Sequence, residues 1–189
     1  MTELLLFNHA LGVTEGVEAF ADQIRAAGHT VTVGDLFEGK TFSTVEEGVA
    51  NEEGVGFEAM IERSEQAAAR LPSPIVYGGF SLGAVYAQRL AQTRPGALGA
   101  LLYHAGDIPS SEFGDSWPEN VALQIHVSGG DKWVDREGAQ GLVAEAKDGE
   151  LFIYPGSAHL FTDSSSDEYD EDSTKLVLER TIAFLERVG

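Results

Sequence analysis

A chain of 189 residues is long enough to bury one sizeable core and short for two domains, so a single unit spanning residues 1–189 is expected. Its formal net charge of −19, from 31 acidic and 12 basic side chains, would repel phosphate backbones and anionic membrane surfaces, which argues against nucleic acid and membranes as partners. The absence of cysteine excludes disulfides, thiolate metal sites and a cysteine nucleophile, leaving oxygen for any covalent chemistry.

Residues 4–7, Leu-Leu-Leu-Phe, form a continuous apolar run suited to a strand buried on both faces of a parallel sheet. The opening residues lack the basic start and cleavage site of a secretory signal, and no apolar run approaches the ~20 residues needed to cross a bilayer, so cytoplasmic residence is the expectation. A loop over Asn8–Val13 follows. Thr14 then caps an amphipathic helix with Val17, Phe20, Ala21 and Ile24 at helical spacing, ending near Gly28. Residues 30–34 alternate as a second strand. Between 44 and 70 the composition is helical, but Gly48, Gly54 and Gly56 predict a short helix or loop before a longer helix from about Phe57 to Leu71, stopped by Pro72 and Pro74.

The stretch that follows carries the strongest signal. An apolar run meets Gly79-Phe80-Ser81-Leu82-Gly83 and continues with helical periodicity, the G-x-S-x-G pattern of a nucleophile elbow. A strand that turns into a helix this abruptly needs small neighbours around the central residue, and it leaves the Ser81 hydroxyl at the tip. The Leu82 N–H, at the start of the helix, is then placed to donate to a developing oxyanion. Further strands are expected over 97–104, 121–127 and 151–154, with helices over 135–147 and 173–188 and a loop over 105–120. Strands alternating with helices in this way predict an α/β class: a doubly wound, mostly parallel sheet with helices on both faces and ligands at the carboxyl ends of its strands.

A serine nucleophile needs a base, and the base an orienting acid. Asp131 follows the strand over 121–127 and His159 follows the last strand, giving the chain order serine, acid, histidine of the α/β-hydrolase fold. Asp135 and Asp107 are alternatives for the acid. Among the other histidines, His29 is expected to be solvated in a helix-to-strand turn, His126 to be a satisfied core residue, and His104 to end a strand near the site. The second oxyanion donor should be the backbone N–H of Ala10 or His9, in the loop after the first strand. The His9 side chain is a candidate for substrate contact or for holding that loop. Trp133, close to the acid, is a candidate for substrate binding, and Trp117, Phe113 and Tyr103 lie on or near the same edge. The glycines at 78, 79 and 83 lack dinucleotide-binding spacing, and the acidic run Asp163–Asp172 lacks a calcium-loop pattern and reads as a solvated loop. No metal or organic cofactor is expected.

With these residues placed, the sequence resembles the dienelactone hydrolase family of α/β hydrolases over nearly its whole length. The likeness rests on the loop Asn8–Val13, on Gly34-Asp-Leu-Phe37, on Gly54-Val-Gly56, on the elbow, on His126-Val-Ser-Gly-Gly-Asp131, on Tyr154-Pro-Gly-Ser-Ala-His-Leu-Phe161, and on Tyr169-Asp170 ahead of residues 179–185. The resemblance implies Ser81 as nucleophile, Asp131 as acid, His159 as base, and Leu82 and Ala10 as backbone oxyanion donors, acting on a small-molecule ester or lactone. Two departures stand out. Founding members of the family carry cysteine at the elbow where this chain has Ser81, which suggests general esterase or lactonase chemistry. They also resemble one another in an arginine, four residues past the histidine, that holds a substrate carboxylate, and here that slot is Asp163. The family also begins with strands that precede the one opening this chain, so a minimal version with little lid is expected. Other readings use the same fold: a non-catalytic binding or regulatory protein, or acyl transfer or perhydrolysis at the same three residues.

Overall fold

The computed structural model describes residues 1–189. Its six strands are β1 (Glu3–Phe7), β2 (Thr30–Gly34), β3 (Ile75–Phe80), β4 (Ala97–Tyr103), β5 (Ala122–Ser128) and β6 (Gly149–Tyr154). They form one sheet in the order β2-β1-β3-β4-β5-β6, with every neighbouring pair parallel. The helices are α1 (Glu15–Ala26), α2 (Val45–Val55), α3 (Phe57–Ala69), α4 (Leu82–Thr93), α5 (Arg136–Glu145) and α6 (Glu171–Val188). No helix is long and apolar enough to cross a membrane.

The period-two geometry of a strand explains the two cores. In β1, Leu4 and Leu6 point into one core with Val17, Phe20 and Ile24 of α1 and Val177 and Phe184 of α6. Leu5 and Phe7 point to the other face, into a core that also holds Met60 of α3, Tyr86 and Leu90 of α4 and Leu142 of α5. All four of these β1 residues are fully buried, as a sheet covered on both faces requires. The two flanking helices begin on side-chain caps. Thr14 accepts from Val17 N at 3.2 Å, and Asp170 accepts from Ser173 N at 2.8 Å. The chain runs from β1 outward to β2 and returns to β3 on the other side, so the strand order switches between β1 and β3. A crevice opens at that switch, outside the carboxyl ends of the strands.

One expectation is corrected here, at His29, and the choice between short helix and loop at residues 45–55 falls to the helix. The segment over 45–55 is a helix of 11 residues despite its glycines. Gly48 is a contact residue there, because a Cβ at that position would lie 1.8 Å from the Ala10 carbonyl oxygen, so only glycine lets α2 lie against the loop after β1. His29 is buried rather than solvated, with its Nδ1 3.4 Å from the Thr2 N–H. The start of the chain and the end of α6 close over it, and Thr2 Oγ1 donates to the Leu185 carbonyl at 2.8 Å.

His126 is a core residue with both ring nitrogens partnered, to Tyr154 Oη and Gln124 Oε1, each at 2.8 Å. It stacks with Tyr103 and Phe152 at ring distances of 5.3 and 5.4 Å. Burial, reinforced by the charge of Arg180, pushes its pKa down to about 3. Burial also pushes His104 well below the ordinary value, and His29 is lowered for the same reason. An unfolded chain takes up protons on these histidines below pH ~6.5, whereas the folded chain does so only at lower pH. Stability present above that pH is therefore lost as pH falls, for His126 by about 1.4 kcal/mol per pH unit down to its folded pKa of about 3, and His104 and His29 act in the same direction. Urea midpoints measured at pH 7, 6 and 5 should fall progressively. A midpoint that stays flat across that range would contradict the burial argument.

Candidate active site

Three loops deliver side chains to the crevice. Ser81 sits between β3 and α4 with φ 49° and ψ −116°, a left-handed conformation that is uncommon for a residue with a side chain. The surrounding contacts impose it. Ser81 N donates to the Tyr103 carbonyl at 2.7 Å, and Ala84 N donates to the Ser81 carbonyl at 2.9 Å. The flanking glycines are required by close approach: a Cβ on Gly79 would lie 2.3 Å from the Gly83 oxygen, and one on Gly83 would lie 2.3 Å from the Asn8 oxygen. The elbow can thus press against its own helix and against the loop after β1.

Asp131 and His159 come from the loops after β5 and β6, which are sewn together. Gly129 N donates to the Tyr154 carbonyl and Gly130 N to the Gly156 carbonyl, each at 2.8 Å, and Ser128 Oγ donates to the Ala158 carbonyl at 2.7 Å. The result is a continuous line of contacts. Ser81 Oγ lies 2.7 Å from His159 Nε2, and His159 Nδ1 lies 2.7 Å from Asp131 Oδ2. The other carboxylate oxygen, Oδ1, accepts from Trp133 N at 2.9 Å, so both oxygens are occupied. The imidazole and the carboxylate are almost fully buried, while Ser81 remains partly open. The other two carboxylates considered lie apart from this line. Asp135 caps α5 by accepting from Glu137 N, and Asp107 Oδ2 accepts from Asp135 N, each at 3.0 Å.

Leu82 begins α4, with its N–H among the unpaired donors at the positive end of that helix. The Ala10 N–H donates to no backbone carbonyl. Asn8 braces its loop, its Nδ2 donating to the His9 carbonyl at 2.8 Å and its Oδ1 accepting from Leu36 N at 2.9 Å.

Two cavities meet at Val45, Trp133 and His159, and the smaller reaches the serine. One of about 240 Å³ is lined by Ser81, Leu82, Val85, Trp133 and His159, with Val49 of α2 above. The other, about 530 Å³, opens on the far side of Val45, Trp133 and His159. Trp133 borders both and is 43% exposed, its ring 5.9 Å from that of His159. α2 borders the cavity at the serine through Val45, Val49 and Glu52. Trp117 and Tyr103 do not line the cavities: Trp117 Nε1 donates to the Val121 carbonyl at 2.7 Å, and Tyr103 Oη bonds Thr181 Oγ1 at 2.9 Å within the core.

Of two further loop residues, His9 fits the second of its two readings, holding the loop, and Asp163 departs from expectation. His9 is only 1% exposed and cannot reach a substrate; it turns inward to Asp163, 2.7 Å away. Asp163 in turn is no member of a solvated acidic loop. It is 3% exposed, and although burial alone would raise its carboxyl, hydrogen bonds from His9, Ser165 and Thr14 hold it well below the usual carboxylate range. His104, at the end of β4 with φ 59°, packs beside His159 with its Nε2 2.7 Å from Thr162 Oγ1, and its buried Nδ1 has no partner. No group of three or more His, Asp or Glu side chains is arranged to hold a metal ion.

A parallel sheet with a serine on a strained strand-to-helix turn at its carboxyl edge defines an α/β hydrolase. The chain belongs to the dienelactone hydrolase family, whose family model matches residues 3–189, and it is an ester-type hydrolase of that family. Among solved structures it is similar to a dienelactone hydrolase-like promiscuous phosphotriesterase from metagenomic libraries, with TM-score 0.82 and 16% identity over 100% of this chain and 87% of that one. It is also similar to a metagenome-derived lipolytic enzyme of the LipS and LipT pair, with TM-score 0.66 and 16% identity over 98% and 94% of the two chains. A third is a cold-adapted esterase from an Arctic intertidal metagenomic library, with TM-score 0.61 and 17% identity over 99% and 82%. At these identities the structural likeness speaks for the fold alone. No curated protein matches the sequence.

Proposed function

We propose that the chain is a serine hydrolase that cleaves small carboxylic esters or lactones through an acyl-Ser81 intermediate. One observation carries this reading: three side chains from three loops stand in one line of contacts, 2.7 Å from Ser81 Oγ to His159 Nε2 and 2.7 Å from His159 Nδ1 to Asp131 Oδ2. Ser81 Oγ attacks the carbonyl carbon as His159 Nε2 takes its proton, and the negative charge passes to the carbonyl oxygen, facing the N–H groups of Leu82 and Ala10. Collapse breaks the bond to the leaving oxygen, which takes the proton back from Nε2. Water repeats the sequence on the acyl-serine and releases the acid. A fluorophosphonate probe tests this directly, because it should label Ser81 at one equivalent per chain. An unlabelled, folded protein would favour a non-catalytic role.

The charges around the cavities set an expectation for the substrate. Glu46, Asp167 and Glu168 border the larger cavity with a single Lys132, and Glu52 and Asp107 border the smaller one. The slot at 163, which holds a substrate-binding arginine in the relatives the sequence resembles, is a buried carboxylate here. A substrate carboxylate therefore meets net repulsion, with Lys132 as the single cation bordering the cavities. Hydrolysis of a succinate half-ester should be at least ~10-fold slower, in kcat/KM, than hydrolysis of a neutral ester of equal length, a gap that narrows with added salt. Equal rates would remove the electrostatic argument.

A further inference from the structure

Asp163 and His9 lie outside the line of groups that carries out the proposed chemistry, yet they form the most completely satisfied buried polar cluster next to it. His9 Nδ1 accepts from the Leu11 N–H at 3.2 Å, so the proton of the neutral ring is on Nε2, which donates to Asp163 Oδ2 at 2.7 Å. Thr14 Oγ1 donates to the same oxygen at 2.6 Å. Asp163 Oδ1 accepts from the N–H and the hydroxyl of Ser165, at 2.8 and 2.6 Å. The carboxylate sits against the first turn of α1, where its charge meets the positive end of the helix, and a Cβ on Gly16 would lie 1.7 Å from Oδ1.

These contacts connect the two halves of the site. Asp163 belongs to the turn that follows the base, its N–H donating to the Leu160 carbonyl at 3.0 Å, and Leu160 directly follows His159. His9 and Leu11 bracket Ala10, whose N–H is the proposed second oxyanion donor, and the His9 ring also packs edge-on against Phe80, the residue before Ser81, at 6.2 Å. Without the carboxylate, nothing on this side fixes the His9 tautomer. A ring with its proton on Nδ1 would present N–H to the Leu11 N–H and open the turn that carries Ala10.

We infer that Asp163 is a positioning residue: through His9 it latches the loop after β1 to the loop after β6, and so holds the Ala10 N–H where the oxyanion forms. The latch rests on the ester-hydrolase reading and deepens it. An oxyanion donor acts in the transition state and little in the ground state, so disturbing the latch lowers kcat and spares KM. Displacing a donor, rather than deleting it, should cost about 10- to 100-fold in kcat.

Two variants perturb the same carboxylate by different means. Asp163→Asn turns an amide N–H toward one set of donors. Gly16→Ala removes no polar group and favours the helix, but its methyl displaces the carboxylate. For each, kcat and KM on a neutral p-nitrophenyl ester are measured, together with affinity for a trifluoromethyl ketone, whose adduct with Ser81 bears an oxyanion, and the melting temperature. The expected result is a 10- to 100-fold fall in kcat, KM within about twofold, and ketone affinity reduced by the same factor as kcat. A kcat within twofold of the parent overturns the latch, whatever happens to the melting temperature, and so does a rise in KM with kcat intact. If D163N is insoluble, G16A decides alone. Fluorophosphonate labelling of the parent protein separates the two claims: an unlabelled Ser81 sinks the hydrolase reading, whereas a labelled parent with fully active variants sinks only the latch.

Discussion

Ser81→Ala is expected to lower turnover of a neutral ester by about 10⁴-fold or more while leaving the fold in place, because the variant removes the atom that forms the acyl bond. The left-handed backbone at 81 is held by Ser81 N to the Tyr103 carbonyl and by Gly79 and Gly83 packed around the turn, none of which involves the hydroxyl. Alanine therefore inherits the same geometry. The change forfeits one hydrogen bond, to His159 Nε2, worth about 1 kcal/mol, at a position open to solvent. Melting temperature and circular dichroism should stay near those of the parent, and fluorophosphonate labelling should vanish. Turnover within tenfold of the parent would take Ser81 out of the chemistry and point to direct attack by water from the cavity.

What the sequence discloses about this site divides along a physical line. The elbow is legible because its constraint is local: a strand, a sharp turn and a helix within a few residues need glycine at 79 and 83. Asp131 and His159 are legible because parallel strands deliver every βα loop to the same edge of the sheet, so chain order translates into proximity. Asp163 and His9 are not, since their partnership joins loops 154 residues apart and each looks like an ordinary polar loop residue by itself. The clue in the string is Asp163 itself, a carboxylate four residues past the histidine that departs from the family pattern the sequence otherwise resembles. The choice between helix and loop at α2 escapes a sequence reading for a related reason. Glycine breaks a solvent-exposed helix but enables one that lies on another backbone, and nothing near Gly48 in sequence tells that the Ala10 carbonyl lies beneath it. His29 shows the same limit, because the segments that bury it come from both ends of the chain.

The wider arrangement explains why these loops need latching. Ser81 and His104 end the adjacent strands β3 and β4, and both have positive φ. Strained backbone of this kind persists only where surrounding contacts over-determine it. Those contacts come from the neighbouring loops: Asn8 beneath Gly83, Thr162 on His104, and Asp163 on His9. The rigid floor is the sheet, and the part that must be held is the rim. A rim assembled from four loops places donors well only if the loops are tied to one another, which is the work assigned to Asp163.

Asp131→Asn is expected to match the serine variant closely in effect, by a route that tests the hydrogen-bond line rather than any one atom. Asparagine is nearly isosteric with aspartate, and its oxygen can still accept from Trp133 N as Oδ1 does now. That places the amide nitrogen where Oδ2 stands, 2.7 Å from His159 Nδ1. An amide N–H there needs an acceptor, so the ring must give up its Nδ1 proton and carry it on Nε2 instead. Nε2 then faces Ser81 Oγ with a proton of its own and can no longer take one. The charge that would steady the imidazolium is lost as well. Loss of the acid in this way costs about 10⁴-fold in kcat where a triad operates, with substrate binding little affected. The carboxamide keeps every neighbour partnered, so stability should change by no more than ~1 kcal/mol. The tautomer exchange can be seen independently of rate, as a change in the ¹⁵N shifts of the His159 ring nitrogens that interchanges the protonated and unprotonated sites. An Asp131→Asn variant with kcat within tenfold of the parent, or with its ring proton still on Nδ1, would mean that Asp131 merely anchors the loop and that His159 draws its orientation from elsewhere.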